Sequence, residues 1–150
     1  MNIGITYKQI NISDPYYKKM LRLRRERIWI PKKIILSDTF ETDEAKSTFF
    51  GAFCNTRHLV GCIVLMPDKI NKWTLMQQLA VDSQYECMGI GQELIKTAEE
   101  YVHTKQMDDI VVFPDEATKT YFERVGYHTV GGWYHHSNGL RTIMMRKTTK

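Results

Sequence analysis

Nowhere in the 150 residues do apolar side chains run for the roughly 18 positions that a membrane-spanning helix needs; the longest apolar stretch, Leu59 to Met66, is strand-sized. Cysteine is scarce: Cys54, Cys62 and Cys87 share no CxxC spacing, and an odd count reads as free thiols in a reducing compartment. The opening Met1-Asn2-Ile3-Gly4-Ile5-Thr6-Tyr7 has no basic stretch followed by an apolar one, so no signal peptide is expected and the expected location is cytoplasmic. An excess of one charge is also lacking, with 21 basic residues against 17 acidic and a net charge of +4, far from a histone-like tail. Internal repeats, low-complexity segments and linkers are absent, which leaves one domain over residues 1–150 as the expectation. At 43% apolar and 25% charged residues, the chain has enough to bury that disorder over most of its length is excluded.

The charge that is present is unevenly placed. Lys18, Lys19, Arg22, Arg24, Arg25, Arg27, Lys32 and Lys33 face only Glu26 in the same stretch, and Asp38, Glu41, Asp43 and Glu44 follow. Such runs make a solvated helix face and loop, or a surface for an anionic ligand such as a phosphate-bearing cofactor or nucleic acid. Stacking of bases requires aromatics interleaved with the basic residues, and only Trp29 qualifies, so nucleic acid is not an expected partner.

Apolar and polar residues alternate from Ile3 to Gln9, as in a strand. Ser13-Asp14-Pro15 starts a helix that runs to about Trp29 on a stripe of Tyr17, Met20, Leu21, Arg24 and Ile28, and Pro31 ends it. Residues 32–46 read as a polar loop or a short helix. Thr48 to Cys54 and Leu59 to Met66 form a hairpin through Asn55-Thr56-Arg57-His58, and Trp73 to Val81 adds a third strand. The period then changes to helical from Gln92 to about Lys105, with Leu94, Ala98, Tyr101 and Val102 on one face. Ile110 to Phe113 is a short strand, Asp115 caps a helix through Arg124, and Tyr127 to Trp133 and Arg141 to Arg146 flank a turn at Ser137-Asn138-Gly139. The order is β-α-βββ-α-β-α-ββ, an α/β layout in which the strand ending at Val81 and the strand near 111 form the one expected parallel pair.

Between Val81 and the second long helix lies Gly89-Ile90-Gly91. A strand that ends in a glycine-containing turn and opens a helix aims several backbone N–H groups at one point, and the helix dipole reinforces them, so a phosphate can sit there. A Rossmann fingerprint is excluded because Leu94 stands where its third glycine belongs, and a Walker loop is excluded because no GK[ST] follows.

The stretches MQQLAVDSQYECMGIGQELIKTAEEYV and FPDEATKTYFERVGYHTVGGWYHH resemble the GCN5-related N-acetyltransferase (GNAT) family over about two thirds of the chain, and LRLRRERIWIP looks like the first helix of one bacterial branch. The resemblance implies the acyl-CoA N-acyltransferase fold, with a mixed, mostly antiparallel sheet and helices on both faces. It implies an N-acetyltransferase that uses acetyl-CoA as co-substrate and passes the acetyl group to an amine of a small molecule or peptide by direct attack. The pyrophosphate would lie on the backbone N–H groups of Cys87, Met88, Gly89, Ile90, Gly91 and Gln92, with Glu86 beside it in the cofactor-binding turn. The pantetheine arm would pair with the backbone of Leu79, Ala80 and Val81, and Phe122 would border it.

Three positions depart from the family pattern. Glu86 replaces a glutamine or arginine, and a carboxylate about 5 Å from a phosphate costs about 3 kcal/mol at an effective dielectric near 20 if uncompensated. Cys87 stands where many members carry glycine. Phe122 occupies the place of the tyrosine that protonates the departing thiolate, a loss of roughly 10²–10⁴ in rate for a positioned acid. Tyr121 lies about 100° around the helix, and Tyr134, His135 and His136 come from the last strands; these are the remaining candidates for the acid. The strand from Trp73 to Val81 has no Asp or Glu, so the base is unassigned. Both departures at Glu86 and Phe122 favour an alternative, a CoA-binding or regulatory module that kept the fold and lost the chemistry. The basic first helix, with Arg24 and Arg25, suggests an anionic acceptor. No metal is expected, since adjacent His135 and His136 point to opposite faces of a strand. A homodimer is the base-rate expectation.

Overall fold

The computed structural model describes residues 4–55, 57–107 and 109–148. Ile3 of the predicted first strand and Thr56 of the predicted hairpin loop lie outside the described residues. The elements are β1 (Ile5–Ile10), α1 (Pro15–Arg24), α2 (Phe40–Glu44), β2 (Thr48–Cys54), β3 (His58–Asp68), β4 (Trp73–Val81), α3 (Ile90–Thr104), β5 (Asp109–Val112), α4 (Glu116–Arg124), β6 (His128–His135) and β7 (Arg141–Lys147). The predicted order is present, with α2 as the short helix inside the loop after α1. Proline in the first turn starts α1, which continues as a π-helical turn over Arg25–Trp29 before Pro31.

Among the described residues seven strands join one sheet in the order β1-β2-β3-β4-β5-β7-β6, antiparallel except for β4 and β5. β2 and β3 are apolar along nearly their whole length because both faces are covered. On one face α1 and its π-helical continuation pack Tyr17, Met20, Leu23 and Ile28 against Phe49, Phe53, Cys62 and Val64. On the other, α3 packs Ile90, Leu94, Ala98 and Val102 against Phe50, Ala52, Ile63 and Leu65. Gly61 lets α3 approach this closely: a Cβ there would lie 3.0 Å from both Ile90 Cγ2 and Leu94 Cδ1.

Some boundaries differ from expectation for local reasons. Leu23, not Leu21, completes the buried stripe of α1, and Leu21 packs at its rim. β3 extends past Pro67 to Asp68; β2 begins opposite Leu65, so the proline has a strand neighbour on one side alone, where proline is tolerated. Glu44, expected in a solvated acidic loop, is 2% exposed because Arg24 reaches it.

Two irregularities of β4 create the cleft. β4 and β5 pair only from Trp73↔Asp109 to Leu75↔Val111 and then diverge, leaving the β5-facing edge of β4 unpaired beyond that point among the described residues. The register against β3 also slips between Val64↔Gln77 and Cys62↔Ala80, so Gln78 and Leu79 together oppose Ile63. Gln78 takes the left-handed conformation, φ 58°, at this bulge.

Candidate active site

The turn between β4 and α3 is built by local capping. The Asp82 side chain accepts the Gln84 amide at 2.9 Å and closes a single 3₁₀ turn over Ser83–Tyr85. Cys87 (φ 63°) and Gly89 (φ 78°) are both left-handed, and the first intrahelical bond runs from the Glu93 amide to the Gly89 carbonyl at 3.1 Å. Among the described residues no protein acceptor takes the amides of Cys87, Met88, Gly89, Ile90, Gly91 or Gln92. A Cβ at Gly89 would meet nothing within 4 Å, and one at Gly91 would touch only Leu79 and Val81 side chains, at 3.5 and 3.9 Å. The result is an open cradle of unpartnered donors at the positive end of a helix, which suits an anion.

Glu86 at the entrance to this turn is paired. Its carboxylate forms an ion pair with the Arg27 guanidinium from the π-helical end of α1. The cation that offsets Glu86 therefore comes from the basic run, 59 residues away in sequence.

Two cavities flank the unpaired edge of β4. One, of about 340 Å³, is lined by Leu79, Val81 and the turn from Tyr85 to Gln92, with Ala80 and Met88 absent from its walls. The Ala80 side chain is buried on the α1 face, and that of Met88 is exposed. The other cavity, of about 380 Å³, lies beyond the divergence of β4 and β5 and takes its walls from Ile28, Ile34, Leu75, Phe113 and Leu140, among others. Leu79, Ile95, Thr118 and Phe122 line both, so they form the constriction between the two spaces.

The α4 helix delivers two of those four residues. Asp115 caps it, accepting the Thr118 amide and the Thr118 hydroxyl, each at 3.0 Å. Burial by itself would raise the Asp115 carboxyl, but the Thr118 hydrogen bonds, the Lys32 ammonium at 3.7 Å and the Ala117 amide outweigh it and hold it below its ordinary value. Phe122 follows Thr118 by one helical turn and shares its face.

The catalytic candidates separate clearly. Tyr121 lines the cavity of the turn but not the second one, and burial, with the Glu99 charge, raises its phenol further from titration at neutral pH. Tyr134 is half-exposed, packs edge-on to Phe113 and lines neither cavity. His135 lines neither, whereas His136 lines the second cavity with its Nε2 2.9 Å from Thr142 Oγ1. Asn138 in the predicted turn donates to the Lys32 carbonyl at 2.9 Å and ties that loop to the one after α1.

Arg24 lines neither cavity. It is fully buried, bonded to Glu44 through Nη1 at 2.8 Å and Nη2 at 2.7 Å, and Tyr17 donates to the same carboxylate at 2.8 Å. This pairing removes Arg24 as a reason to expect an anionic acceptor. Sequence reasoning also missed Thr118 and Gln78; Thr118 was legible from its spacing to Phe122, Gln78 from nothing short of the fold. Among the described residues, no three His, Cys, Asp or Glu side chains come together as a metal site, and no helix is long and apolar enough to cross a membrane.

A seven-stranded mixed sheet that splays at its parallel pair, with a glycine turn opening a helix at the splay, defines the acyl-CoA N-acyltransferase fold. The chain belongs to the GNAT acetyltransferase family: the family model described as acetyltransferase (GNAT) domain matches residues 22–149. Among curated proteins it is similar to Probable N-acetyltransferase 14 of Xenopus tropicalis, 27% identical over 78 residues, a match that spans 50% of this chain and 38% of that relative. Among solved structures it is similar to an acyl-CoA N-acyltransferase from Pseudomonas aeruginosa, with TM-score 0.78 and 17% identity over 95% of this chain and 99% of that one. An aminoglycoside 6'-N-acetyltransferase complexed with coenzyme A matches with TM-score 0.76 and 19% identity over 97% of each chain.

Proposed function

We propose that this protein, a single domain over residues 1–150, is an N-acetyltransferase that moves the acetyl group of acetyl-CoA to the amine of a small molecule or peptide. The observation that carries the reading is the adjacency of three features: a cradle of unpartnered amides at 87–92, an unpaired strand edge at β4, and a second cavity that shares Leu79, Ile95, Thr118 and Phe122 with the cavity of the turn. Acetyl-CoA supplies the activated acyl group as a thioester. The amides of residues 87–92 hold the pyrophosphate, with Glu86 neutralised by Arg27. The backbone of Leu79, Ala80 and Val81 pairs with the pantetheine arm as an added strand would. Leu79, Ile95 and Phe122 exclude water at the constriction. An amine in the second cavity attacks the thioester carbonyl, and the C–N bond forms as the C–S bond breaks. The imidazole of His136, which lines this cavity, takes the proton of the amine in this reading. The thiolate leaves toward a constriction whose one hydroxyl is that of Thr118, already committed to Asp115.

Phe122 supports a second reading, a CoA-binding module with little or no turnover, because the residue at the constriction has no proton to give. The test is release of CoA thiol from acetyl-CoA across a screen of primary amines. Amine-dependent release above the rate without enzyme selects the first reading; tight cofactor binding with no release by any amine selects the second.

A further inference from the structure

Gln78 is held more rigidly than its place on a strand requires. Its Oε1 accepts from Arg24 Nε at 3.1 Å and from Trp29 Nε1 at 2.9 Å. Both partners are donors only, so the amide cannot be flipped without setting its N–H groups against theirs. Arg24 is in turn fixed by Glu44 and lies 4.9 Å from the Trp29 ring centroid and 5.6 Å from that of Phe40. With Oε1 occupied on the α1 side, Nε2 is left as a donor. Among the described residues nothing accepts from it, and it is not among the buried atoms that lack a partner, so solvent or ligand can reach it. Gln78 lines the second cavity, where the acyl-transfer reading puts the reacting amine, and adjoins Leu79 at the constriction.

We infer that Gln78 selects the acceptor: its Nε2 donates to a carbonyl or carboxylate oxygen next to the reacting amine. The acceptor is then an α-amino carbonyl compound, and the walls of Ile28, Ile34, Leu75, Phe113 and Leu140 fit it with an apolar side chain. Free amino acids and peptide N-termini share this chemistry. The inference rests on the acyl-transfer reading and deepens it.

Four probes of one apolar shape test it: L-leucine, L-leucinamide, L-leucylglycine and 3-methylbutylamine, the last without any oxygen. Their kcat/KM values are compared per concentration of free amine. At least one oxygen-bearing probe is expected to exceed 3-methylbutylamine by about tenfold, the worth of one well-made hydrogen bond. Leucine against the two amides tells a free amino acid from a peptide terminus. Gln78→Glu keeps an oxygen for Arg24 and Trp29 but replaces the donor, and is expected to abolish the advantage. A readout without turnover uses the wild-type protein alone: the ¹⁵N–¹H resonances of the Gln78 side-chain amide shift with the preferred probe and not with 3-methylbutylamine. Equal kcat/KM for all four, an advantage that survives Gln78→Glu, or an unmoved Gln78 resonance overturns the inference. Turnover of no oxygen-bearing probe overturns it too while acetyl-CoA still raises the unfolding temperature. Failure of acetyl-CoA to stabilise the wild-type protein strikes the acyl-transfer reading itself.

Discussion

Arg27, in the π-helical turn that ends α1, forms an ion pair with Glu86 at the mouth of the amide cradle. The pair cancels the charge that would otherwise oppose a pyrophosphate at this position. With Glu86 50% and Arg27 37% exposed, water and salt screen much of the roughly 3 kcal/mol of bare repulsion. Glu86→Gln is therefore expected to tighten acetyl-CoA binding by about three- to tenfold, and Arg27→Ala to weaken it by a similar factor. In the Glu86→Gln background Arg27→Ala should cost less, a non-additivity that titration calorimetry on the four proteins reads directly.

Cys87 is the exposed thiol, while Cys54 and Cys62 are buried, and burial pushes the Cys62 thiol up to about 12. Native protein should react with iodoacetamide at Cys87 alone, with the other two reacting after unfolding. Because Cys87 lines the cavity of the turn, saturating CoA is expected to slow its alkylation by about tenfold or more, the factor 1 + [L]/Kd reached at ten times the dissociation constant. Peptide mapping of the modified protein checks both points.

Phe122 sits at the constriction without a proton to donate. Phe122→Tyr restores a phenol there. A positioned acid contributes roughly 10²–10⁴ in rate, so a rise in kcat of at least about tenfold is expected, with little change in acetyl-CoA affinity. Steady-state kinetics with the best amine of the screen decides it.

Asp115 gives a pH signature. Its carboxyl is held below the ordinary value in the folded protein, so the cap stabilises above the unfolded pKa near 3.9 and is lost as pH falls through the lower folded value. Asp115→Ala should cost about 1 kcal/mol at pH 7. The gap between wild type and variant should close only below about pH 4, as followed by denaturant unfolding across a pH series.

The sequence carried the parts of the fold that periodicity encodes. The stripe on α1 included Arg24, the Asp115 cap and the glycine turn were visible as local chemistry, and the change of period marked the parallel pair of β4 and β5. What stayed hidden depends on partners far apart in the chain. Arg24 meets Glu44 across 20 residues and Gln78 across 54, and a charge pattern shows which face is polar without showing who satisfies whom. The bulge at Gln78 uses no glycine or proline, so no turn residue announced it. The compensation of Glu86 by Arg27 is of the same kind: the sequence shows each charge alone, and only the packing of α1 beside the turn joins them.

The most direct test of the central claim is calorimetric titration of the purified protein with acetyl-CoA, paired with thermal unfolding in its presence. Micromolar binding is predicted, with about 2.7 kcal/mol of added stability at one hundred times the dissociation constant. No heat of binding and no stabilisation at millimolar acetyl-CoA would contradict the account, because the amide cradle would then have no pyrophosphate to hold.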